Sequence, residues 1–274
     1  MPSCAAPREL AGGKLLVDRP AEHLARLTIS NPSKRNALDH PILDAIAAAL
    51  AELAAEGAAR CVVVTGAHGM FSAGYEIGTI TDGRFQEEAE RLVAHPFTEA
   101  IEALERYPYP TLAALPGHTI GGGLELALAC DLRVAATEIK LGMPPAKLGL
   151  VYSHTGLRRF LDTIGAARTR ELFLLGSYID AATALQWGLV NRVAPAAELE
   201  SMALALAGEL AANAPLSQAG NKRVIAALLC AQGELPEALE AELIELRRAS
   251  FASHDLREGM SAFAEKRTPR WRGA

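Results

Sequence analysis

Leu112-Ala-Ala-Leu-Pro-Gly-His-Thr-Ile-Gly-Gly-Gly-Leu-Glu-Leu126 runs from a short apolar strand through a glycine turn into a helix start. The following residues, Leu124–Cys130, are too apolar for a surface helix, so the helix is expected to be buried. A second stretch, Val62-Val-Val-Thr-Gly-Ala-His-Gly-Met-Phe-Ser-Ala-Gly-Tyr-Glu-Ile77, has the same order of parts. Each delivers glycine just beyond a buried strand, where backbone can approach a ligand unobstructed. Gly121-Gly122-Gly123 also opens a helix, whose first N–H groups lack partners and favour negative charge. Glycines there serve equally for tight helix–strand packing, and the residues alone leave both readings open.

Outward from this pair, β-type runs alternate with helical patterns. Lys14–Asp18 and Leu24–Ser30 are expected strands, and Pro41 sits in the first turn of a helix reaching Glu56. Cys61–Gly66 and Thr111–Leu115 are expected buried strands, with one long helix, Gln86–Arg106, between them. Leu132–Ala136 and Ile139–Leu141 follow as short strands. From His154 onward the pattern is helical, broken only by Leu189–Val193. The expectation is an α/β core over residues 1–200 and a helical region over 201–274.

Composition narrows the function. The chain has 274 residues, half of them apolar, 53 alanines and a formal charge of −5. Such a charge gives no general field for nucleic acid. His118, Glu125 and Asp131 interrupt the most hydrophobic stretch, so no membrane span is expected. Without a basic and apolar leader, a cytoplasmic protein is expected. Cys4, Cys61, Cys130 and Cys230 form no CxxC pair, and the histidines no HExxH, so neither disulfide nor metal is expected.

The glycine loops match none of the common phosphate signatures. Neither is followed by Lys-Ser or Lys-Thr, and neither has GxGxxG spacing. Met70 stands where a GxSxG motif would need glycine, so the sequence does not support a hydrolase nucleophile elbow at Ser72. What is left is a carbonyl oxygen that gains negative charge, held by two backbone N–H groups.

At this point a resemblance becomes specific. Asn31-Pro-Ser-Lys-Arg-Asn-Ala-Leu38, Phe71-Ser-Ala-Gly-Tyr-Glu-Ile77 and Gly121-Gly-Gly-Leu-Glu-Leu-Ala-Leu-Ala-Cys-Asp131 stand in the order found in the crotonase (enoyl-CoA hydratase/isomerase) superfamily. Ala181–Asn191 and Glu258–Arg267 resemble it too. The resemblance implies a spiral of ββα units with a C-terminal helical trimerisation region, homotrimers or hexamers, and an acyl-CoA thioester substrate. Coenzyme A would be part of that substrate, with no separate cofactor. By the same resemblance the oxyanion donors are the N–H groups of Tyr75 and Gly122. Ala37, Ala73, Gly74, Ile77 and Gly121 would lie along the acyl-CoA site, Lys34 and Arg35 near its phosphates. Phe263 and Lys266 would reach it from a neighbouring subunit.

Glu125 matches the first catalytic glutamate of the hydratases, although a cap on the helix start is the plain structural alternative. Burial would raise its pKa and the helix start lower it. The position of the second hydratase glutamate holds Pro145, which has nothing to titrate. The Pro145–Tyr152 segment resembles methylmalonyl-CoA decarboxylases, where a tyrosine at the Tyr152 position lies near the departing carboxylate. Glu76, where many members have Asp, either supplies a second carboxylate or ties its loop. Three functions follow as expectations: an enoyl-CoA hydratase/isomerase-type lyase or isomerase, a decarboxylase of a malonyl-type acyl-CoA, or a silent acyl-CoA-binding protein.

Overall fold

Every residue of Thr111–Leu115 is buried, and the sheet is laid out on both sides of this strand. The structure is a computed structural model describing residues 6–76, 93–231, 236–270 and 272. In chain order the strands are β1 (Arg8–Leu10), β2 (Leu15–Asp18), β3 (Leu24–Ile29), β4 (Cys61–Gly66), β5 (Thr111–Leu115), β6 (Thr119–Ile120), β7 (Leu132–Ala136), β8 (Lys140–Gly142), β9 (Tyr178–Asp180) and β10 (Arg192–Ala194). The helices are α1 (His40–Glu56), α2 (Thr98–Arg106), α3 (Gly122–Leu128), α4 (Pro145–Leu148), α5 (His154–Arg170), α6 (Ala181–Trp187), α7 (Leu199–Ala212), α8 (Pro215–Ala231), α9 (Glu237–Ala252) and α10 (His254–Ala264).

The main sheet has the order β1-β2-β3-β4-β5-β7-β10, antiparallel at the β1–β2–β3 edge and parallel from β3 onward. Parallel strands buried on both faces read as continuous apolar runs, as Val62-Val63-Val64 does. A smaller sheet, β6-β8-β9, hangs from the end of β5. Its strands have only two or three residues, too few to show a period, and β6 and β9 are not expected from sequence. Nor is β1.

Asp39 caps α1, its carboxylate accepting the Ile42 N–H at 3.0 Å. Ile42, Leu43, Ile46, Ala49, Leu50 and Leu53 form the buried stripe that seats this helix on the core. The expected continuous helix Gln86–Arg106 is corrected within its described part. Val93–Phe97 is a π-type turn around Pro96, and α2 starts only at Thr98. Proline has no N–H for the helical ladder, so the register slips there. Residues 86–92 of that expectation lie outside the described residues. The expectation of one break after His154 is corrected as well, since β9 and β10 both interrupt the helices.

Helix α7 buries Leu199, Ala203, Leu206, Ala207 and Ala211 against the main sheet. The helical arm that leaves the core begins after it. At its end α9 lies on α5 and α10 on α4. There Phe251 and Leu256 form a separate apolar cluster with Leu148, Leu150 and Met260. The Val151 N–H also donates to Ser250 Oγ at 3.0 Å. This arm thereby clamps the Pro145–Tyr152 segment from outside.

Candidate active site

The two glycine loops meet edge to edge. Ser72 pairs with Thr119 as a parallel bridge, and the Ile120 N–H donates to Ser72 O at 3.0 Å. Gly74 lies in the left-handed region, φ +93°, and a Cβ there would sit 3.0 Å from Ile120 O and 3.2 Å from Gly122 N. Only glycine meets both demands. Leu38 then fixes the orientation of Tyr75. The Leu38 N–H donates to Gly74 O at 2.8 Å, and the Glu76 N–H donates to Leu38 O at 3.0 Å. Tyr75, between them, directs its own N–H to the other side, as alternate residues of an extended chain do. No acceptor among the described residues takes the N–H of Tyr75 or of Gly122. Two unclaimed donors on abutting loops, one at a helix start, are the parts needed to hold a carbonyl oxygen.

Asn36 locks the first motif to these loops. It is fully buried, accepting the Asn31 N–H at 2.8 Å and donating to Ala67 O and Met70 O at 2.9 and 2.7 Å. Ala37 is buried beside it, and the Ala73 N–H donates to Arg35 O at 3.1 Å. Lys34 pairs with Glu76 at 3.1 Å, which ties that carboxylate to its loop. Arg35 is exposed at a left-handed position, φ 51°. Gly121 donates its N–H to Gly142 O at 2.9 Å, joining the second loop to the small sheet. Ile77 lies outside the described residues.

Glu125 is 2% exposed, in the first turn of α3. The Tyr152 hydroxyl donates to its Oε2, and Arg159 Nη1 lies 3.2 Å from Oε1. Burial raises the Glu125 carboxyl above the usual carboxylate range, against the opposing effects of Arg159 and the Tyr152 hydrogen bond. Burial followed by the Glu125 charge pushes the phenols of both Tyr75 and Tyr152 up. The Tyr75 side chain is therefore more than a bystander to its amide. Its ring covers Gly122, where an added Cβ would lie 2.9 Å from Cζ. Phe97 meets the ring edge-on at 4.7 Å.

Pro145 is buried at the start of α4, and a tight turn at Gly149, φ +74°, leads on toward Tyr152. His154 Nε2 lies 3.4 Å from Glu240 of α9, its side chain largely covered by that helix. Phe263, 73% exposed, and Lys266 stand at the end of α10, and no hydrogen bond or ion pair among the described residues joins them to the site. Three contributors escape the sequence. Arg159 and Arg247 border the cavity beside Glu125, and Gly156 faces Tyr152 and Glu125 so closely that a Cβ would lie 2.6 Å and 2.8 Å from them. Gly156 and Arg159 stand three residues apart in the first turns of α5, which is the available signal for one helix face. A larger cavity, about 400 Å³, lies between the main sheet and α7 and is lined by none of these residues. Its carboxylates, Asp18 and Glu200, are taken by Arg26 at 2.6 and 2.5 Å, so it offers no free acid–base group.

A family model described as enoyl-CoA hydratase/isomerase matches residues 20–274. The chain belongs to the enoyl-CoA hydratase/isomerase family. A probable enoyl-CoA hydratase of Bacillus subtilis (strain 168) is 34% identical over 253 residues, covering 92% of this chain and 96% of its own. Among solved structures, methylmalonyl-CoA decarboxylase in complex with 2-nitronate-propionyl-CoA superimposes with a TM-score of 0.86 at 28% identity, over 95% of this chain and 99% of its own. An enoyl-CoA hydratase from Bacillus anthracis gives 0.75 at 29% identity, over 95% and 100%. This member thus has the crotonase-type α/β fold that its motifs imply, and it is an acyl-CoA-processing member by family. Among the described residues no helix is long and apolar enough to cross a membrane, and no group of three or more His, Cys, Asp or Glu side chains could hold a metal ion.

Proposed function

We propose that this family member is an acyl-CoA lyase that works through a thioester enolate, and that its reaction is decarboxylation of a malonyl-type thioester. The observation that carries the reading is the pairing of Glu125 with Tyr152 while Pro145 fills the second glutamate position. Hydration of a double bond calls for one group to activate water and another to manage the carbon proton. Two further carboxylates at this end, Glu102 and Glu105, are held by Arg106 at 2.8 Å and Arg159 at 2.6 Å. Neither stands ready as the missing base.

Decarboxylation needs no base to begin. The bond from Cα to the carboxylate breaks, CO2 leaves, and the electron pair passes into the enolate, whose oxygen accepts from the Tyr75 and Gly122 N–H groups. The helix start behind Gly122 adds to that stabilisation. A proton from the Glu125–Tyr152 pair then closes the Cα–H bond, giving the shortened acyl-CoA, and water restores the pair. Coenzyme A arrives and leaves with the substrate, and Lys34 and Arg35 lie on the loop offered to its phosphates. The fit to methylmalonyl-CoA decarboxylase supports this reading. A second one, hydration or isomerisation of an enoyl-CoA with Glu125 as base, is supported by the relatives named probable enoyl-CoA hydratase.

The test offers malonyl-, methylmalonyl- and ethylmalonyl-CoA and a 2-enoyl-CoA to the purified protein, following products by mass spectrometry. Release of CO2 with formation of the saturated acyl-CoA is expected. Turnover of the enoyl-CoA alone would replace decarboxylation with the second reading. Tight binding without turnover of any thioester would leave a silent binding protein.

A further inference from the structure

The cavity beside Glu125 holds about 60 Å³. That is roughly the space of two waters at ~30 Å³ each, or of one carboxylate. Of its four charged walls, three are ion-paired and one is not. Glu102 has Arg106 at 2.8 Å, and Arg159 lies between Glu125 at 3.2 Å and Glu105 at 2.6 Å. Arg247, brought in by α9, forms no ion pair among the described residues, and its Nε is buried without a hydrogen-bond partner. A buried guanidinium N–H left unmatched is costly, which marks it as a donor waiting for an acceptor. The other polar walls are Thr98, Ser153 and Thr155, the last two at the positive end of the α5 segment that runs to a kink at Gly165. The space is small, borders Glu125, and holds one arginine that has no carboxylate partner of its own among the described residues.

We propose that Arg247 receives the free carboxylate of the acyl group, and so selects α-carboxylated thioesters over plain acyl thioesters. The assignment deepens the decarboxylase reading and rests on it for the source of the carboxylate. Its energetic consequence is specific. The arginine grips the substrate's negative charge, which moves to the thioester oxygen as CO2 departs. The contact is therefore stronger in the bound substrate than in the transition state, and it acts on KM more than on kcat.

Two thioethers that cannot decarboxylate serve as probes, 2-carboxypropyl-CoA and propyl-CoA, with binding measured by calorimetry on the full chain. The wild type is expected to bind the carboxylated probe ~10-fold or more tightly, the scale of one charge-assisted contact. In Arg247→Met that preference collapses toward one, while propyl-CoA affinity stays unchanged and reports an intact fold. Arg247→Lys retains part of the preference, and Arg247→Gln serves if the Met variant does not fold. With a malonyl-type substrate, Arg247→Met raises KM and does not lower kcat. An equal preference in wild type and Arg247→Met, or none in the wild type, overturns the assignment. A wild type that prefers the carboxylated probe but releases no CO2 keeps the anion site and loses the decarboxylase reading. CO2 release with an unaltered preference in Arg247→Met does the opposite.

Discussion

Glu125 combines contradictory surroundings. Burial pushes its carboxyl up, while Arg159 and the Tyr152 hydroxyl act to keep it ionised. Such a group holds its proton at a higher pH than an ordinary glutamate, which suits a proton donor to carbon. The sign of the pH dependence then separates the chemistries. If the Glu125–Tyr152 pair delivers a proton to the enolate, turnover is full below the raised pKa and falls as pH rises through it. If Glu125 is a base that must be ionised, turnover rises over the same interval. We expect a falling limb that begins above the ordinary carboxylate range, measured as kcat against pH on a malonyl-type thioester. Glu125→Gln removes the titrating group, so it should lower turnover ~100-fold or more and abolish that limb. An unchanged rate and profile in the variant would take Glu125 out of the chemistry.

Helix α5 shows what an element contributes that no single residue can. Ser153 caps it, accepting the Gly156 N–H at 3.1 Å, and thereby fixes which face of the first turn meets the site. Alanine is worth about 1 kcal/mol over glycine within a helix, so Gly156 is kept at a local cost. The reason is space, since a Cβ would crowd Tyr152 and Glu125 Oε1 at 2.6 and 2.8 Å. Gly156→Ala should lower the melting temperature only modestly, since the helix gain of about 1 kcal/mol offsets part of the ~1–3 kcal/mol cost of overpacking, while turnover drops ~100-fold, the penalty of a misplacement near 1 Å. Equal losses of both would instead make Gly156 an ordinary packing position. The same helix shows where the sequence stops informing. The strands β3, β4, β5 and β7 were legible because β-branched and aliphatic runs of five or six residues carry a clear pattern. The Tyr75 and Gly122 loops were legible through their glycines and motif order. Arg159 and Arg247 were not, because an arginine on a polar helix face looks the same whether it meets water or a buried carboxylate. Arg247 reaches the cavity only through the folding back of an arm more than a hundred residues beyond Glu125.

At the scale of the molecule, α8 is the element the single chain leaves unfinished. Lys222 pins it to the core, its Nζ 2.7 Å from Asp131 Oδ2 and 3.1 Å from Tyr109 O, so its outer face is fixed. That face carries Val224, Ile225 and Leu228, 57, 58 and 60% exposed, at spacings that form one stripe. A contiguous apolar stripe on an anchored helix is the mark of an interface. Phe263 and Lys266 also stand exposed, which agrees with service to another copy. We therefore expect sedimentation equilibrium to give three or six times the 29.0 kDa of one chain. Ile225→Glu with Leu228→Glu should shift the mass toward a single chain, because burying two carboxylates in an apolar contact is strongly unfavourable. If a neighbour's Phe263 and Lys266 complete the coenzyme A site, the dissociated variant loses affinity for acyl-CoA while its far-ultraviolet circular dichroism stays unchanged. A wild type that sediments as one chain and still turns over its thioester would make the stripe a surface without a role in assembly, and each site would be complete within its own chain.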